Sequence, residues 1–198
     1  MVPPACKVID EFAFGNCTGL SYADVQGADT ISTKAFYHCS VLSTLKLPET
    51  LKAIGDSAFM RCEALATITL PASLERAGDK MFLRCPYFEG FTVAQGNAHF
   101  VAENGVLYSK DKTVLYECPQ LYTADVFTVP ATVKTIRPKA FFECNHVMNG
   151  IAFGQSSQAR YIKTRQSFDI CYTIEENTHK RGDIQLQIID IRPRTAEK

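Results

Sequence analysis

Eight cysteines and four histidines are the side chains of this 198-residue chain best suited to chemistry, so their spacing is the first question. Five cysteines, at 17, 39, 62, 85 and 144, each stand three residues after a phenylalanine, in Ala-Phe-x-x-Cys or, once, Met81-Phe82-x-x-Cys85. Successive intervals are 22, 23, 23 and 59 residues, the last equal to one repeat plus an insertion. Thiols that return at one repeat position are expected to stack as a ladder, where they fill space and donate weakly to backbone carbonyls. Disulfides between neighbouring repeats and a zinc site are the rivals. Bridge geometry is demanding, and no C-x-x-C pair with metal-ligand spacing occurs. Cys6, Cys118 and Cys171 are expected to lie outside the ladder.

Other reactive types are scattered. His38, His99, His146 and His179 share no repeat position, and His38 and His146 fall beside ladder cysteines in variable turn positions where exposure is expected. There is no G-x-S-x-G, H-E-x-x-H, phosphate-binding loop or dinucleotide glycine pattern. Asp and Glu form no pair suited to acid–base work, so no catalytic residue, metal or cofactor is expected. Arg181-Gly182-Asp183 has the form of an integrin-binding tripeptide, but a turn between two strands accounts for it.

The elements that must position these residues follow from the repeat. Its fullest copy, at 54–74, has the skeleton I-G-x-x-A-F-x-x-C-x-x-L-x-x-I-x-L-P-x-S-L. Ile68 and Leu70 are two residues apart, so an extended chain puts them on one face and Thr67 and Thr69 on the other. Pro48 and Pro71 close their runs, because proline has no N–H to continue a ladder. Each unit has one apolar side that only stacking on its neighbours can bury, which predicts a solenoid. In the first unit Ala23, Val25 and Gln26 replace the usual residues, the last in place of proline, so that unit is expected to be degenerate.

These repeats resemble the BspA-like branch of the leucine-rich repeats over residues 8–147. The resemblance implies a mainly β fold: a solenoid of short parallel strands in repeats of ~23 residues. It also implies a module that binds proteins or other extended macromolecules, with surface display and adhesion or host interaction in relatives. The exposed strand face would then carry the contacts, through Thr44, Lys46, Thr67, Thr69, Thr92 and Thr128.

Two segments depart from the repeat. In residues 94–126, Val106-Leu107-Tyr108 faces Thr113-Val114-Leu115-Tyr116 across a short polar loop, which predicts a β-hairpin. The hairpin is expected to decorate the solenoid edge, with contact to a ligand as the alternative. Near Gly150 the repeat slips: Ile151 and Phe153 come one residue late. The chain is accordingly divided into an array, 1–148, and a small antiparallel β tail, 149–198. In the tail, 168–174 and 184–192 alternate with period two and are expected to pair. Phe168-Asp169, Tyr172 to Asn177, Gln185-Leu186 and Asp190-Ile191-Arg192 resemble the end of the OB-type domain of the single-stranded-DNA-specific exonuclease RecJ. That resemblance implies an alternative nucleic-acid face at Arg160, Lys163, Arg165 and Arg192, the other alternative being a rearranged product with no catalytic role.

Charge gives that alternative little help. The chain has 21 Lys+Arg and 21 Asp+Glu, so no global field draws it to nucleic acid or membrane. The part at 160–198 is slightly basic, with 8 Lys+Arg against 6 Asp+Glu. Residues 1–7 lack a basic segment followed by an apolar one, so the product as encoded is expected to be cytoplasmic, with an upstream exporting segment left open.

Overall fold

Each repeat contributes two short strands and a tight turn, and the turns carry the core. The structure, a computed structural model, describes residues 2–123, 127–142 and 144, and the backbone of strands at 151–153, 168–176 and 184–193. In chain order the strands begin with β1 (Val8–Ile9), β2 (Tyr22–Asp24), β3 (Thr30–Ile31) and β4 (Thr44–Lys46). Next come β5 (Ala53–Ile54), β6 (Thr67–Leu70), β7 (Arg76–Ala77) and β8 (Gly90–Val93). The inserted segment supplies β9 (Phe100–Glu103), β10 (Val106–Ser109) and β11 (Val114–Glu117). The last are β12 (Phe127–Val129), β13 (Thr135–Ile136), β14 (Ile151–Phe153), β15 (Phe168–Glu176) and β16 (Ile184–Pro193). No helix occurs among the described residues, hence none long and apolar enough to cross a membrane.

The chain divides into two compact units: Met1–Thr123 with Thr132–His146, and Ala124–Ala131 with Val147–Lys198. In the first, β1, β3, β5 and β7 form one parallel sheet, while β2 pairs with β4 and β6 with β8, all parallel. The degenerate first unit still pairs in register, Tyr22 with Thr44 and Asp24 with Lys46. Along β6 burial alternates as the sequence predicts: Thr67 and Thr69 are exposed, Ile68 and Leu70 buried.

Stacking is regular at the turns. Phe14 N donates to Ala35 O at 2.8 Å, Phe36 N to Ala58 O at 2.9 Å and Phe59 N to Met81 O at 3.0 Å. The rings follow the backbone, with centroids 5.0 Å apart for Phe14–Phe36, 5.8 Å for Phe36–Phe59 and 5.1 Å for Phe59–Phe82. Phe88 extends the column by stacking on Phe82 at 3.9 Å. Phe36, Phe59, Phe82 and Phe88 are all at least 98% buried, so the apolar column contributes heavily to the stability of this unit.

The hairpin is present, β10 antiparallel to β11, but it is more than a decoration of the edge. β9 adds to its other side, and β11 pairs in parallel with β13 at Val114–Thr135 and Leu115–Ile136. A strand of the insertion therefore occupies a place in the stack. The expectation of an edge ornament fails because β10 spends its hydrogen bonds on β9 and β11, leaving the outer side of β11 to β13. Asn97 anchors the entry: its Nδ2 donates to Pro71 O and Leu74 O, and its Oδ1 accepts from His99 N and Phe100 N. All four bonds of this buried amide are made.

In the second unit β12 and β14 pair in parallel, Phe127 with Ile151 and Val129 with Phe153. Phe127 and Val129 are buried, and Thr128 between them is exposed. The one-residue slip near Gly150 therefore does not end parallel pairing. β15 and β16 form the expected antiparallel ladder, from Phe168–Pro193 to Glu176–Ile184, with an irregularity between Cys171 and Tyr172.

Candidate functional site

The strand face is built two strands at a time. Thr44 and Lys46 are exposed on β4. Register places Tyr22 beside Thr44, and the Lys46 ammonium lies 5.6 Å from the centre of the Tyr22 ring. Tyr22 is 44% exposed, and its hydroxyl donates to Asp24 Oδ2 at 3.3 Å. On β6 and β8, Thr67, Thr69 and Thr92 are exposed, and the Thr69 and Thr92 hydroxyls are 2.7 Å apart. Thr92 Oγ1 also donates to Ile68 O. The structure thus brings Thr44 together with Lys46, and Thr67, Thr69 and Thr92 together with one another. Thr128 belongs to the other unit.

Arg160, Lys163 and Arg165 lie outside the described residues, as do His146, His179 and the Arg181-Gly182-Asp183 tripeptide. Arg192 lies in β16, opposite Asp169.

The cysteines form a ladder of sulfur-to-carbonyl bonds. Cys39 Sγ donates to Phe14 O at 3.1 Å, Cys62 Sγ to Phe36 O at 3.1 Å and Cys85 Sγ to Phe59 O at 3.2 Å. A hydrogen bond with Cys39, and then burial, pushes the Cys62 thiol up; burial does the same for Cys85. Such thiols stay protonated and are poor nucleophiles. Cys17 holds the same repeat position but is exposed at the start of the stack. His38 sits beside it, half-buried, with Nδ1 3.2 Å from Asn16 Oδ1.

Cys118 stands outside the cysteine position of the ladder, as expected, and takes the place that phenylalanine holds in the regular repeats. Its N–H donates to Ala140 O at 2.8 Å, and its carbonyl accepts from Cys144 Sγ at 3.3 Å. The hydrogen bond with Cys144, and then burial, pushes the Cys118 thiol up. Beside it is a residue that repeat spacing does not single out. The Phe82 N–H has no next-repeat carbonyl to meet and donates to Glu117 Oε1 at 3.0 Å. Glu117 is 7% exposed, and its Oε2 has no hydrogen-bond partner among the described residues. Burial pushes its carboxyl up to about 8, against the pull of the Phe82 and Met81 N–H groups and with a smaller push from Asp79. The available signal was the insertion length itself, because any insertion must leave the amides of the preceding repeat a new partner.

The model of the BspA type leucine-rich repeat region matches six times, across residues 1–109 and 111–185. It extends past the boundary drawn at 149, and the RecJ-like view of the tail gains no support from it. No curated protein matches the chain. Among solved structures, a leucine-rich cell surface protein from Faecalibacterium prausnitzii is 28% identical with a TM-score of 0.60. The match covers 68% of this chain and 36% of that one. The pneumococcal vaccine antigen PcpA is 22% identical with a TM-score of 0.47, covering 61% of this chain and 42% of that one. This chain thus spans well under half the length of either protein. Six repeat matches, together with the parallel stack of turns and strands, establish that the chain belongs to the BspA type leucine-rich repeat family.

Proposed function

We propose that the chain is a non-catalytic interaction module whose binding surface is the exposed strand face around β4, β6 and β8. The observation that carries this is the division of labour along those strands. Thr44, Lys46, Thr67, Thr69 and Thr92 face solvent, while Ile68, Leu70 and Phe91 are buried beneath them. Outward residues on such a stack can vary without disturbing the core, and the rigid frame lowers the ordering cost of binding. Hydroxyls beside an exposed tyrosine suit a protein surface that meets them with backbone or amide groups.

Display on a cell surface and adhesion to other proteins form part of the same proposal. They draw on family membership and on the likeness to a protein described as a leucine-rich cell surface protein. The test is binding of the purified chain to an array of immobilised extracellular proteins, followed by Thr69→Arg and, separately, Lys52→Glu away from the face. Loss of a detected interaction with Thr69→Arg alone supports the proposal. Loss with Lys52→Glu alone contradicts it.

A further inference from the structure

Backbone stacking in this fold needs a carbonyl one repeat ahead of each Phe N–H. Three repeats supply it: Phe14, Phe36 and Phe59 each donate to the backbone of the repeat that follows. At Phe82 the next stretch of chain is the insertion, and a side chain takes over. Glu117 Oε1 receives the Phe82 N–H, and the very next residue, Cys118, resumes the ladder through its bond to Ala140 O. We infer that Glu117 is a proton-controlled latch, its neutral carboxyl holding the inserted strands in the repeat stack and its ionisation loosening that seam.

The geometry distinguishes the two oxygens. Oε1 is occupied by an N–H donor, whereas Oε2 is buried and reached by no donor among the described residues, so the proton belongs on Oε2. An anion there would keep one oxygen desolvated without compensation. Charged and titratable neighbours come from each segment packed around it. The turn after β7 brings Asp79, Lys80 and the Cys85 thiol, and the stretch after β13 brings Arg137 and Lys139. Lys80, Lys139 and Cys118 line a small pocket beside the carboxyl. Cys118 is in turn faced by the Cys144 thiol and by Tyr108 and Tyr122. The two lysines favour the anion, but Arg137 is committed to Asp79, with its Nε 2.6 Å from Oδ1. Burial and the Asp79 charge push the other way and prevail.

The direction of the pH effect follows. Unfolded, the carboxyl titrates near 4.5; folded, it titrates at about 8. Between those values the folded chain holds a proton that the unfolded chain releases. Stability is therefore highest at acid pH and falls as pH rises, by up to about tenfold in the unfolding constant per unit. Above about 8 the slope from this group vanishes and the seam carries the whole penalty. Opening there would uncover Phe82 and Phe88, which are buried when the latch is closed.

The test uses the full chain. Urea midpoints between pH 5 and about 7.5, below the range where the unfolded thiols ionise, are expected to fall for the wild type and to stay level for Glu117→Gln, whose amide carbonyl still accepts the Phe82 N–H. Glu117→Ala is expected to be weaker at every pH, because it leaves that N–H without a partner. A Glu117→Gln variant that keeps the wild-type slope would overturn the inference. If the variants fail to fold, a carbon-detected titration of Glu117 in the wild type decides: a midpoint near 8 supports the latch and one near 4.5 refutes it.

Discussion

The turns at Phe36 and Phe59 and the turn at Phe82 do the same job with different parts. In the first two, backbone meets backbone, ring meets ring and sulfur meets carbonyl, and each contact is copied about 23 residues later. At the third, a carboxyl replaces the carbonyl, and Phe88 completes the ring column from within the same repeat. Repetition makes the regular turns robust, since every contact has an equivalent on the other side. The seam has no such duplicate. It depends on individual residues, and one of them is a buried acid with an oxygen that has no partner among the described residues.

Substitutions can separate the two regions. The largest effect is expected from Phe59→Ala in the middle of the column, which removes a fully buried ring between two stacked neighbours. It should cost ~3–5 kcal/mol by urea denaturation, whereas Phe14→Ala, half-buried at the end of the column, should cost clearly less. Equal losses would mean that the repeats are not additive neighbours.

At the seam, Gly90→Ala is the corresponding break. Gly90 has φ +148°, and an added Cβ would lie 2.4 Å from the Gly105 Cα at the turn between β9 and β10. Both the backbone conformation and the contact exclude a side chain, and a loss of about 2–4 kcal/mol is expected by the same assay. Removing a ladder sulfur should matter less. Cys62→Ala is expected to cost ~1–2 kcal/mol, mostly through the small cavity left behind, while Cys17→Ala at the exposed end should be close to neutral.

One small change should be a gain. Arg61, like His38 and Arg84 at the same repeat position, has a left-handed backbone, with φ of 62°. Asparagine tolerates that region better than arginine, so Arg61→Asn should raise stability by about 0.5–1 kcal/mol in thermal or urea unfolding. A loss would mean that the arginine side chain makes a contact worth more than the strain.

Legibility in the sequence followed the same division. Period-two alternation at Thr67–Leu70 and the return of Ala-Phe-x-x-Cys disclosed the strands, the buried ring column and the stacking of Cys39, Cys62, Cys85 and Cys144, because a repeat states its packing several times over. The hairpin was legible from two apolar runs around a polar loop. Its incorporation through β11 and β13 was not, since that pairing joins segments about 20 residues apart with no shared pattern. Glu117 was invisible for the same reason: a residue that substitutes for a missing repeat has no counterpart by which to recognise it. Tyr22 was hidden by the degenerate first unit, although its register beside Thr44 places it on the proposed face. Alternation points the threonines outward, and Thr44, Thr67, Thr69, Thr92 and Thr128 are exposed on their strands. Which of them meets a partner depends on chemistry that lies in the partner.

The account rests on the insertion being a working layer of the stack, joined at Glu117 and Cys118. Native-state hydrogen exchange at the Phe82 and Cys118 amides, measured near pH 6, tests this directly. Protection of the same order as at the Phe36 and Phe59 amides is predicted. Exchange at both positions as fast as at the hairpin tip around Lys112 would show that the insertion hangs from the solenoid without bearing on it.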